Sequence, residues 1–169
     1  MKSQDIINQL ESNSDVYKDL LKGIPVEMIK WKPSENKWSM LEIVCHLYDE
    51  EREDFRARLA KILLEDHNWD PIDPQGWVVS RDYMNRNYDS VLKDFLNERN
   101  LSVEWLKSLQ VHDWNIKAVH PSLGEFSAIH MLSEWYAHDL LHMRQIIKLK
   151  FDFLNNVLKP YSISYAGNF

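Results

Sequence analysis

Apolar residues recur at helical spacing along most of the chain. Ile6, Ile7, Leu10, Tyr17, Leu20 and Leu21 predict a first helix from about Gln4 to Leu21, closed by Gly23 and Pro25. An extended linker follows, because Pro33 disfavours the helical region for the residue before it. Ser39-Met40-Leu41-Glu42 reads as a capping box, in which hydroxyl and carboxylate satisfy backbone N–H groups at a helix start. From there Leu41, Val44, Leu47, Tyr48, Phe55, Leu59 and Ile62 carry a second helix to about Leu64. His67 to Val79, with Pro71, Pro74 and Gly76, is the one long connection. A stretch of about 15 residues spans roughly 50 Å when extended, enough to cross a bundle end to end. A third helix runs from about Tyr83 to Leu109 on Tyr88, Val91, Leu92, Phe95, Leu96, Val103 and Leu106. After a loop at His120-Pro121-Ser122-Leu123-Gly124, a fourth helix starts near Ser127 and ends around Phe151, and the tail from Asn155 to Phe169 shows no period. The pattern predicts an all-α four-helix bundle, up-down-down-up, with a long crossover between helices 2 and 3, as one domain over residues 1–169.

Composition narrows this picture. A length of 169 residues suits one domain with a real core, and four Gly are too few for a chain of strands and tight turns. Apolar residues at 44% and charged residues at 27% are ordinary for a globular protein and favour neither disorder nor a membrane class. A net charge of −6 without a basic stripe argues against a nucleic-acid partner. Met1 to Asp15 holds no apolar run of the kind a signal peptide or membrane span needs, so a cytoplasmic location is expected. Cys45 has no cysteine to pair with and reads as a packed core thiol. The aromatic tail residues Tyr161, Tyr165 and Phe169 suggest apolar surface that a symmetric homodimer would cover.

The candidate chemistry lies in histidines. His138 and His142, four apart in the fourth helix, share one face and can chelate one ion. Such a pair also occurs without metal, and a lone His such as His46, between Val44 and Leu47, is often a hydrogen-bonded core residue; His46 is still the best placed third ligand. Three neutral imidazoles leave an ion its charge and an open position, the arrangement of a catalytic site that can lower the pKa of water or a thiol. Glu50, one turn after His46, could accept a proton or support a ligand, although a solvated helix charge is the plainer reading. Asp49 and Asp139 read the same way, while Glu134, one turn before His138, is a better supporting candidate. Trp38 and Trp135 could line a pocket, and Arg52, Arg56 and Arg144 could contact an anionic cofactor if they face it. His67, His112 and His130 have no evident partner.

Three blocks add to this. Trp38-Ser39, Glu42 to Leu47 with Asp49 to Arg52, then His120-Pro121-x-Leu123-Gly124, then Trp135-x-x-His138-Asp139-x-x-His142-x-x-Gln145-Ile146 resemble, in order, the signatures of the DinB/YfiT-like superfamily of metalloenzymes. The resemblance covers roughly residues 5–150 and implies a four-helix bundle holding one divalent ion, zinc or nickel, on His46, His138 and His142. It implies a loop-shaping role for His120. It also implies a metal-dependent enzyme for a small-molecule substrate, of the transferase or isomerase type that uses a low-molecular-weight thiol such as bacillithiol, mycothiol or glutathione. A hydrolase, or a non-catalytic stress or interaction protein with a closed site, remains the alternative.

Overall fold

The computed structural model describes every residue except 112, 122, 123 and 168, so the readings made of His112, Ser122 and Leu123 lie outside the described residues. Helix α1 (Ser3–Leu21) buries the predicted stripe of Ile6, Ile7, Leu10, Tyr17 and Leu21 and stops before Gly23, whose φ of 65° suits glycine. The short α2 (Val26–Ile29) seats Met28 in the core. Helix α3 (Met40–Glu50) starts on the predicted capping box: Glu42 N donates to Ser39 Oγ at 3.3 Å, and Ser39 N donates to Glu42 Oε2 at 2.7 Å. The helix continues through a π-helical turn, Glu51–Phe55, into α4 (Arg56–Leu63).

The crossover is not all extended chain. Asp73 accepts from Gly76 N at 2.9 Å and, with Pro74 at the first position, starts α5 (Pro74–Ser80). Helix α6 (Tyr88–Ser108) begins five residues later than the periodicity predicts. Asp82 at φ 50° and a 3-10 turn at Tyr83–Asn85 break the chain first, and Asn87 then caps α6 by accepting from Ser90 N at 2.9 Å. The predicted loop around His120 is an antiparallel hairpin of β1 (Lys117–His120) and β2 (Gly124–Ser127), with Ala118 opposite Phe126 and both buried. Helix α7 (Ala128–Val157) outruns its predicted end at Phe151, and Phe153 packs on the core beyond that point.

Side-chain pairs fix the helix directions. Along α1 and α6, Tyr88 meets Leu21, Phe95 meets Tyr17, and Lys107 meets Glu11, so these helices are antiparallel. Gln9 meets Tyr136 and Asn13 meets Asp139, so α1 and α7 run parallel. From α3 through α4, Asp49 meets Tyr83, Glu51 meets Arg99, and Arg56 meets Ser102, which makes this helix parallel to α6 and antiparallel to α7. The bundle is therefore up-down-down-up, as the length of the crossover allows. One buried cluster around Tyr17, Leu41, Val44, Tyr83 and Phe95 fills the end that holds the start of α3, and a second around Leu10, Leu59, Ile62, Phe126 and Trp135 fills the end under the hairpin. Each such side chain contributes about 1.5–3 kcal/mol by leaving water. Trp69 Nε1 donates to Val119 O at 2.6 Å and Val119 N to His67 Nδ1 at 2.9 Å, which ties the crossover to the hairpin and gives His67 a partner.

Candidate metal centre

The antiparallel packing of α3 on α7 brings His46 against His138 and His142, all three predicted from the sequence. His138 Nε2 lies 3.3 Å from His46 Nε2 and 3.0 Å from His142 Nε2, and one nitrogen of each ring falls within 4.8 Å of the others. Two imidazoles on an ion of zinc size, at about 2.0–2.1 Å each, stand roughly 2.9–3.4 Å apart, which the two spacings from His138 match, while His46 and His142 would draw together to share the ion. Burial, and then the neighbouring His142, push the His46 imidazole down to about 3. Burial followed by His142 and His46 holds His138 well below its ordinary value, and burial lowers His142. All three are thus neutral at pH 7 and able to donate. His46 Nδ1 is buried without a hydrogen-bond partner among the described residues.

The walls are aromatic on two sides. The Trp38 ring lies 4.8 Å from that of His46, and Phe55 lies 4.8 Å from His138 and stacks on Trp135 at 5.7 Å. The remaining side opens into a cavity of about 480 Å³ lined by Asn36, Lys37, Trp38, Gln75 and Gln145 with the three histidines. A second cavity of about 570 Å³ reaches His138 from the hairpin side, with Phe55, Arg58, Phe126, Met131 and Leu141 in its wall. The arrangement could therefore hold an ion on one face and leave another face to solvent or substrate.

Several side chains sit where the sequence did not place them. Glu50 is only 4% exposed, not a solvated charge, and its Oε1 stands 3.9 Å from His46 Nδ1, behind the ring rather than beside the converging nitrogens. Burial and then the adjacent Asp54 raise its carboxyl to about 9, so it is protonated at neutral pH. Asp49 is buried as well, accepting from the Tyr83 hydroxyl at 2.6 Å and pairing with Arg81 at 2.9 Å and Arg52 at 2.6 Å. Asp139 is fully buried and accepts from Arg99 at 2.6 and 2.7 Å, from Asn13 at 2.8 Å and from Tyr17 at 3.2 Å. Glu134 turns outward to His130 at 3.2 Å and does not support a ligand; His130 also stacks on Phe126. Arg52 and Arg56 are committed to acids, Arg56 to Glu98 at 2.6 Å, whereas Arg144 faces a cavity. Cys45 is buried as expected, its thiol raised to about 12 by burial. His120 lies on β1 with its ring 4.8 Å from that of Trp69.

Sequence reasoning passed over Arg99. It stands four residues after Phe95 and four before Val103 on the buried stripe of α6, and a charge on such a stripe is the signal that could have found it.

Comparison with known proteins follows the same lines. The sequence model described as the DinB superfamily matches residues 9–146. YfiT from Bacillus subtilis, described as a probable metal-dependent hydrolase with an unusual four-helix bundle topology, superposes with a TM-score of 0.78 at 17% identity, covering 90% of this chain and 87% of its own. No curated protein matches the sequence. Among the described residues, no helix is long and apolar enough to cross a membrane.

Proposed function

Because the chain belongs to the DinB superfamily, we propose that it is a metal-dependent enzyme for a small-molecule substrate, with His46, His138 and His142 holding one divalent ion, zinc or nickel. The observation that carries this reading is the convergence of three neutral Nε2 atoms on the floor of an open cavity. Bound there, the ion supplies Lewis acidity that lowers the pKa of a thiol or a water near neutral pH. The chain does the rest. Trp38 and Phe55 wall the imidazoles off from bulk water, Gln75 and Gln145 offer hydrogen bonds to a bound molecule, and Glu50 packs behind His46 and restrains its ring.

One feature favours thiol transfer. The cavity over the histidines is lined by amides, a lysine and an indole, while the carboxylates Asp54, Glu125 and Glu134 line the separate cavity on the hairpin side of His138. A water nucleophile needs a general base close by, and Glu50 lies behind the ring and is protonated. A thiol deprotonates readily enough to need no such base. Hydrolysis is the second reading, favoured by the description of YfiT. The test is conjugation of glutathione, bacillithiol, mycothiol or cysteine to a halogenated arene by metal-loaded and metal-free protein. Acceleration only with metal is expected. No metal effect with any thiol would defeat the transferase reading, and ester or amide cleavage under the same conditions would install the hydrolase.

For assembly we propose a homodimer. Leu140, Ile147 and Leu154 are exposed at seven-residue spacing along α7, and Tyr161, Tyr165 and Phe169 are exposed in the tail. Light scattering should return twice the chain mass at micromolar concentration, and a monomer mass would end the idea.

A further inference from the structure

A third cavity, of about 490 Å³, adjoins the one over the histidines and shares Lys37, Trp38 and Gln145 with it. Its wall carries three cations, Lys37, Arg144 and Lys148, against one carboxylate, Asp152. Lys148 already neutralises that carboxylate, at 2.8 and 2.9 Å. Arg144 and Lys37 have no acidic partner within 4.0 Å among the described residues. Among the arginines, Arg52, Arg56, Arg58, Arg81 and Arg99 each meet a carboxylate at 2.9 Å or less, while Arg144 shares with Arg86 the lack of one among the described residues. In a protein of net charge −6, two unneutralised cations at one cavity mouth are a local reversal of the field.

We propose that this cavity is an oxyanion subsite, seating the carboxylate or phosphate end of a molecule whose reacting end lies over the three histidines. The inference rests on the proposed metal site only for what it places at the other end of that molecule. Position supports it. Arg144 and Lys148 follow His142 on the same helix by two and six residues, a rise of roughly 3–9 Å, and point to a different side of it, so the two cavities meet through the shared Lys37, Trp38 and Gln145 rather than along one helix face. Trp38 and Gln145 border both cavities, and the Gln145 amide reaches His142, so a molecule that spans the two would pass beside them. Arginine suits the task because its fork matches the two oxygens of a carboxylate or phosphate.

The test is a titration of the full chain as purified, with metal content measured in parallel, against succinate, inorganic phosphate and the neutral isostere succinamide. Calorimetry gives the affinity, and the Arg144 Nε–H and Gln145 amide signals in a nitrogen-15 spectrum give the place. Succinate or phosphate should bind at least tenfold more tightly than succinamide, the stronger of the two naming the oxyanion. Arg144→Gln and Lys37→Gln should each weaken that anion several-fold and together erase the preference. Both residues are exposed and unpaired, so these variants should fold. Equal binding of succinate and succinamide overturns the proposal. So does anion binding that survives the double variant but disappears in His142→Ala, since the anion would then sit on the ion. Missing metal with an intact, Arg144-dependent anion titration would count against the metal reading alone.

Discussion

His138 and Asp139 are neighbours on α7, yet their side chains enter regions of opposite character. Asp139 joins Arg99, Glu51, Asn13, Tyr17 and Trp135 in a network drawn from all four long helices. Each carboxylate there accepts two bonds from Arg99: Glu51 at 2.9 and 2.8 Å, Asp139 at 2.6 and 2.7 Å. His138, about 100° round the helix, meets two other neutral imidazoles at 3.0 and 3.3 Å. The first region spends its polar atoms on one another and has nothing left for a ligand. The second sets three uncharged ring nitrogens side by side on the floor of an open cavity, where a bound ion would add its binding free energy to the stability of the chain. Buried polarity by itself therefore does not mark a site; unspent buried polarity does.

The contrast can be tested by breaking each region in turn. Arg99→Met should have the largest effect, destabilising by about 3–5 kcal/mol, because it leaves the Glu51 and Asp139 carboxylates buried without a counter-charge. Urea unfolding measures it, and a loss below about 1 kcal/mol would show that water or relaxation replaces the guanidinium. His142→Ala should do the reverse, removing the ion while costing the metal-free chain no more than about 1–2 kcal/mol, with helical circular dichroism unchanged. Full metal occupancy in that variant would disqualify the triad.

Protons give a finer probe. In the metal-free chain the three imidazoles titrate below the ordinary value of about 6.5 that the unfolded chain keeps. Below pH 6.5 the unfolded chain thus binds more protons, and stability present above that pH is lost on acidification towards about 3, the value for His46. His46→Gln should shallow this fall in a plot of Tm against pH, and an unchanged slope would contradict the burial of His46 as a neutral group. Glu50→Gln should have the smallest effect. Its carboxyl is raised to about 9, so the folded chain holds the extra proton, and stability present at low pH is lost as pH rises through about 9. At pH 7 the unfolded side chain is ionised and the folded one is not, so the amide, which takes up no proton on folding, should gain stability there and remove the fall between about 4.5 and about 9. A loss of stability at pH 7 in a plot of Tm against pH would mean that Glu50 works as an anion.

The helices and the triad were legible because each rests on a local rule. Periodicity gave the stripes, Ser39 and Glu42 made the cap they spell, and four-residue spacing set His138 over His142. What stayed hidden depends on contacts remote in sequence. Asp49, Glu50 and Asp139 read as solvated acids, but Tyr83 and Arg81 reach Asp49 and Arg99 reaches Asp139 from 32 or more residues away, and Glu50 is buried against its own helix. The hairpin was invisible because four-residue strands such as Lys117–His120 carry too little alternation to show a period of two. Glu134 sits at the same spacing from His138 as His142 does, on the other side, and yet turns to solvent beside His130.

The π-helical turn at Glu51–Phe55 makes chain length itself a variable of the site. A regular helix of the same rise would hold one residue fewer, and everything after it would arrive about 100° out of phase. The surplus residue lets His46, above the turn, and Phe55, at its end, both meet His138, although nine positions in an ideal helix would leave them half a revolution apart. In an alignment with a chain lacking the wide turn, the helix would look uninterrupted and the gap would fall inside it, so equivalence of the residues on either side has to be counted separately from each end.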